Sequence, residues 1–139
     1  LLPGGTRLHL QHGPIDLIIG AEGDRKIAFA AAQARFATVL EELVRELPAL
    51  RQSLSTDSPP PNGSIACQMH LAAYPYAAES FVTPMAAVAG AVADHVLHAI
   101  CTATPLTRAY VNNGGDIALH SESGAGTRVS VTLPLLRTE

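Results

Sequence analysis

Hydrophobic and polar positions change period several times along the chain, and each change marks an element. Arg7 to His12 alternates as Arg-Leu-His-Leu-Gln-His, which puts Leu8 and Leu10 on one face of a half-buried strand. After Gly13-Pro14, the stretch Ile15 to Ile19 is apolar except for Asp16 and reads as a second strand covered on both faces. The two are expected to form a hairpin, with one bent strand as the alternative. From Asp24 to Leu47 the period is helical: Phe36, Val39, Leu40, Leu43, Val44 and Leu47 recur at three- and four-residue steps. Arg35, Glu41, Glu42, Arg45 and Glu46 supply its wet face, and Pro48 is expected to end it. Residues 53–63, with Pro59-Pro60-Pro61, are expected to be a stiff exposed loop.

Ser64 to Ala73 fits either a helix or a strand, and Tyr74 to Ser80 reads as loop. Phe81 and Val82 lead into a second long helix, TPMAAVAGAVADHVLHAI, rich in alanine and glycine. Thr83 is its expected N-cap and Pro84 its first residue, so the helix start would aim free N–H groups and a positive dipole end at an anion. Gly90 costs about 1 kcal/mol relative to alanine inside a helix, so either tight packing or a close ligand should offset it. Strands are expected at Thr107–Val111, Ile117–Ser121 and Thr127–Leu133, joined as a meander by turns at Asn113-Gly114-Gly115 and Gly124-Ala125-Gly126. The glycines after Asn113 permit positive φ and leave Asp116 at the mouth of the turn. Together these elements predict an α+β fold in which two main helices pack on an antiparallel sheet.

Composition narrows the picture. In 139 residues, read as one domain over 1–139, 47% are hydrophobic and 15% charged, so much of the chain must be buried in the domain or in an interface. A net charge of −3 carries no nucleic-acid footprint. Asp94, His95 and His98 are expected to keep the most apolar run short of the ~18 residues that suggest a membrane span. Cys67 and Cys101, with no CxxC spacing, read as buried small hydrophobes in a reducing compartment, by default the cytoplasm. The chain opens at Leu1 without a methionine, which leaves room for a native segment before it, and likewise for one beyond Glu139.

Other chemistry is sparse. Asp94 and His98 lie one helical turn apart, a spacing that suits a shared metal or proton relay and, more often, an ordinary hydrogen-bonded pair. His9 and His12 should sit on opposite strand faces, and neither HExxH nor GxSxG occurs. Asp16, in an apolar strand, should be functional or capped by backbone N–H groups.

Three stretches carry a resemblance: HGPIDLII at His12–Ile19, FVTPMAAVAGAVAD at Phe81–Asp94 and AYVNNGGDIALH at Ala109–His120. With them the chain resembles uncharacterised bacterial and archaeal proteins related to the FAD:protein FMN transferases, the ApbE-like group. The resemblance implies a T-fold-related portion, FAD and Mg²⁺ as cofactors, and transfer of FMN to a protein hydroxyl. Gly90 and Asp94 match a glycine and a following Asp of the transferases' motif, and Gly114, Gly115 and Asp116 match their later Gly-Gly-Asp. The lysine of the first motif is Ala89 here, and the position before it, where a backbone carbonyl near the motif helps hold Mg²⁺, is Val88. The Asp and Thr that complete the transferases' metal site have no counterpart up to Glu139.

The expected cofactor site is therefore Thr83, Ala86, Ala87, Gly90, Asp94, Asn113, Gly114, Gly115 and Asp116, with Asp116 and the Val88 carbonyl toward metal. A flavin or nucleotide would lay its phosphates over the Thr83 helix start. A homo-oligomer with no ligand is the competing expectation, and neither nucleic acid nor membrane is expected as a partner. Gly114 to Leu136 also resembles the closing hairpin of sensor histidine-kinase ATPase domains, but the Asn-bearing helix and DxGxG loop are missing, so this likeness reads as convergent.

Overall fold

The computed structural model describes residues 1–124. Four strands, β1 (Arg7–His12), β2 (Ile15–Gly23), β3 (Leu106–Asn113) and β4 (Asp116–Ser121), form one antiparallel sheet in the order β1-β2-β3-β4. The α-helices among the described residues all lie between β2 and β3: α1 (Arg25–Phe36), α2 (Val39–Arg45), α3 (Leu47–Leu50), α4 (Ser64–Ala73) and α5 (Val88–Ala103). Helices α1 and α5 pack against the sheet and each other, making the fold α+β as expected. The expected strand at 127–133, the turn Gly124-Ala125-Gly126 that leads to it, and the tail likened to kinase domains fall mainly outside the described residues.

Alternation fixes which sheet face is covered. Leu17, Ile19 and Ala21 of β2 pair with Asn113, Val111 and Ala109 of β3, and all of them are buried toward the helices. The β1–β2 segments do form a hairpin through Gly13-Pro14. Strand β2 is not covered on both faces, however. Asp16 is exposed and Ile18 only half-buried, and on this far side of the sheet they border an open concavity with Leu2 and His9. There Ile117 and Leu119 of β4 remain 48% and 46% exposed. Tyr110 lies flat over Gly20, where a Cβ would come within 2.3 Å of its Cε1, so only glycine fits beneath the ring.

The long helix expected from Asp24 to Leu47 is two helices, α1 and α2, with α3 beginning at Leu47. Asp24 caps α1 by accepting from the Ile27 N–H, but the chain turns at Ala37-Thr38, where Arg35 donates to Thr38 and Glu42. The apolar stripe is thereby divided. Phe36, Val39 and Leu43 reach the core, while Val44 stays exposed. Pro48 does not end the helix; it occupies an early position of α3, where its missing N–H costs nothing. Ser64–Ala73 is helical, and Tyr74–Tyr76 is a single 3₁₀ turn rather than loop. The segment Pro84–Ala103 is, at 20 residues, long and apolar enough to cross a membrane by length and composition, so its three polar residues do not exclude that as expected. In the fold its Ala91, Val92, Ala93, Val96 and Ile100 are buried. Both cysteines are half-buried rather than fully buried.

One carboxylate ties the proline-rich segment down. Glu46 accepts from the backbone N–H groups of Asn62 at 2.6 Å and Gly63 at 2.8 Å, immediately before α4. Gly63 is the N-cap of α4, so Glu46 satisfies the N–H groups of the capping residue and of the one before it. Leu54 adds a buried apolar anchor, and its N–H donates to the Val82 carbonyl at 2.8 Å. Glu46→Ala is expected to cost about 1–3 kcal/mol of stability, as for hydrogen bonds to a charged group. Urea unfolding measures the loss, and faster amide exchange confined to residues 62 and 63 would assign it to this contact.

Candidate functional site

The β3–β4 hairpin turns in two residues. Asn113 pairs with Asp116, and Gly114 and Gly115 take φ of 61° and 109° between them. The Asn112 side chain closes the turn by accepting from the Gly115 N–H at 2.9 Å. Asn113 is on the opposite face of the strand, buried to 9% exposure, and its Nδ2–H donates to the Ala89 carbonyl of α5 at 3.2 Å. That bond joins the end of the sheet to the start of the helix, so the two halves of the expected site are neighbours. Asp116 stands exposed at the turn, next to Asn113.

The helix start differs from expectation. Thr83 has the extended backbone of an N-cap, yet its side chain makes no capping bond. Pro84–Ala87 is a 3₁₀ turn, in which the N–H groups of Ala86 and Val88 already bond the carbonyls of Thr83 and Met85. Fewer donors are therefore free for an anion than a regular helix N-terminus would offer. Ala86 is exposed, and Ala87 and Gly90 are half-buried. A Cβ on Gly90 would meet nothing within 4 Å, so tight packing does not offset the cost of this glycine. Asp94 is turned to α4, where it accepts from Gln68 Nε2 at 2.8 Å. It is thus engaged away from Asn113 and pairs with neither His95 nor His98.

Beside this junction lies an apolar cleft of about 410 Å³. Leu40, Leu43 and Val44 of α2 and Leu47 of α3 form one wall, and Met85, Val88 and Ala89 form the other. Pro14 and Ile15 of the first hairpin close one end. The polar groups lining it are Asn113 and Arg51. Of the expected site residues, the cleft takes in Val88 and Asn113. Gly114 and Gly115 border a separate shallow concavity on the open sheet face with His9 and Asp16, whose side chains pair at 2.5 Å. Asp16 is accordingly held by a histidine on the exposed face, not by backbone N–H groups.

The α2–α3 wall was hidden from sequence reasoning because its leucines count equally well as core. The signal available was Val44, one residue too many for a single buried stripe on a helix that also had to end near Pro48. Divalent magnesium asks for several hard oxygen ligands. Here Asp116 is a single carboxylate, the Val88 carbonyl begins the helical ladder of α5, and no group of three His, Cys, Asp or Glu side chains suits a metal among the described residues. The described donor set does not fit such an ion.

His95 on α5 is perturbed by its surroundings. Burial of the ring, then the nearby Arg35 guanidinium, hold its pKa below the ordinary 6.5, with His98 acting in the same direction and Glu42 and Asp94 opposing.

The chain matches the family model described as AbpE bacteria over residues 1–135, and it belongs to that family. None of the curated proteins compared with it matches.

Two predictions follow from this geometry. Asn113→Ala should lose about 1–2 kcal/mol through its buried bond to Ala89, while exposed Asp116→Ala should stay within about 0.5 kcal/mol of wild type in the same urea titration. For His95, the folded state binds its proton less readily than the unfolded state. Its contribution is therefore complete above pH ~6.5 and is lost as pH falls below that value toward the lower folded pKa. The wild-type minus His95→Gln stability difference should shrink between pH 7 and pH 5, and a difference that grows on acidification would contradict the assignment.

Proposed function

We propose that this family member binds a flavin or nucleotide, with the planar ring in the cleft between α2–α3 and the start of α5. The observation that carries the reading is the cleft itself. Its apolar volume falls in the range of small-molecule sites, and two residues singled out from sequence, Val88 and Asn113, line it. The Asn113 amide spends a donor on Ala89, which leaves its carbonyl oxygen to accept from a ring N–H. Asp116, exposed beside it, is suited to a ribose hydroxyl. The open space at Gly90 and the small side chains of Ala86 and Ala87 leave the neighbouring helix face clear for the rest of the ligand. FMN transfer with Mg²⁺ is what the ApbE-like resemblance implies. The described donors support binding further than they support that chemistry, so FAD with Mg²⁺ enters as one arm of the test.

A second reading is favoured by a different observation. The open sheet face carries Ile18, Tyr110, Ile117 and Leu119 beside polar His9, Asp16 and Asn112, an apolar patch with a polar surround that suits assembly into a homo-oligomer. The two readings concern opposite sides of the sheet.

The test is thermal stability with FAD, FMN, ATP and ADP, each with and without Mg²⁺. A specific ligand at a hundredfold excess over Kd adds about 2.7 kcal/mol. Stabilisation by a flavin that disappears in Val44→Trp, which fills the cleft from an exposed position, is the expected result. Loss in Asp116→Ala as well would extend the site to the turn. No shift with any of the four, together with a concentration-dependent mass that Leu119→Asp abolishes, would replace ligand binding with assembly.

A further inference from the structure

The cleft is apolar on both walls but not neutral. Arg51 follows the last residue of α3 and lines the cleft mouth, with its backbone N–H bonded to the Leu47 carbonyl at 3.0 Å. The base of the side chain is thereby fixed at the rim. Four of the described cations are engaged, Arg35 with Glu42, Arg45 with Glu41, Arg25 with the Ala21 carbonyl and Arg108 with Glu22, while Arg7 and Lys26 lie away from the cleft. Arg51 has no ion pair or side-chain hydrogen bond among the described residues, and no acidic side chain lines the cleft. In a chain of net charge −3, this concavity carries a single positive charge. An unpaired guanidinium beside exposed or half-buried Val44, Leu47, Met85 and Val88 forms a two-part surface, apolar within and cationic at the edge.

Resting on the reading of the cleft as a ligand site, we infer that its ligand is an amphipathic anion: an apolar ring or chain bearing a carboxylate or phosphate, with the anion on Arg51. This moves the anion from the start of the Thr83 segment, where N–H groups are already spent, to the far rim formed by α3. The planar guanidinium offers a two-point fit to either oxyanion, which an ammonium does not. One guanidinium matches one carboxylate in charge, and a phosphate monoester, at about −1.5 to −2 near pH 7, leaves the rest of its charge to solvent.

Calorimetric titration of two matched pairs tests this: FMN against riboflavin, and decanoate against decanol, on wild type and on Arg51→Gln. Arg51 is exposed, so the variant should retain its fold, and its unfolding midpoint checks that. Wild type should bind the charged member of at least one pair about tenfold more tightly than the neutral one. Arg51→Gln should erase that preference while leaving the neutral member unchanged, and added salt should weaken only the charged one. If FMN and riboflavin bind alike, the flavin reading stands and the anion assignment falls. If only decanoate shows an Arg51-dependent preference, the flavin reading falls and the anion assignment stands. No binding by any of the four compounds overturns both.

Discussion

The pairing of β2 with β3 is the contact on which the rest depends. These strands are separated in sequence by every helix among the described residues, yet Leu17, Ile19 and Ala21 meet Asn113, Val111 and Ala109 across the ladder. That register puts one continuous apolar face toward α1 and α5, and burying each large side chain on it contributes about 1.5–3 kcal/mol. A slip of one residue would turn the whole face to water. The pairing also has a local consequence. With Ile19 opposite Val111, Asn113 falls opposite Leu17 and therefore points at the helices, where it reaches Ala89. The junction between turn and helix is thus a product of sheet register.

Much of the fold was legible because its strands alternate cleanly and its turns are chemically explicit. Gly13-Pro14 and Gly114-Gly115 mark the two hairpins, and both formed where expected. What sequence could not resolve was competition between local pattern and tertiary packing. The stripe from Phe36 to Leu47 satisfies helical periodicity throughout, but the fold needs one part on the sheet and another beside α4, so the helix bends at Ala37-Thr38. Periodicity counts apolar positions and does not say which partner each one meets. Thr83 fails as a cap for a similar reason. Threonine before proline is a strong local signal, yet the chain enters α5 through a 3₁₀ turn that satisfies its own N–H groups.

The candidate site was legible by half. Asn113 could be singled out because its glycine pair stands out in a sequence, and Val88 entered through the ApbE-like resemblance. Leu40, Leu47 and Arg51 could not, because nothing local separates a leucine that lines a cleft from one that fills a core. Asp94 shows the opposite failure. Its place one turn before His98 suggested a shared site, but helix α4 presents Gln68 and takes the carboxylate for packing. Spacing along one helix brings two side chains to a common face, and the neighbouring element then decides what they do.

Asn112 and Asn113 mark the boundary between the two surfaces that can carry function. Adjacent on one strand, they project to opposite faces. Asn113 joins the helix side, with its apolar cleft and the Arg51 rim, while Asn112 lies on the open side with Ile18 and the paired His9 and Asp16. A ligand in the cleft and a partner on the open sheet would therefore not compete for the same atoms. They would still share the hairpin that links them, since any shift of Gly114-Gly115 is felt by both asparagines through their bonds to Gly115 and Ala89.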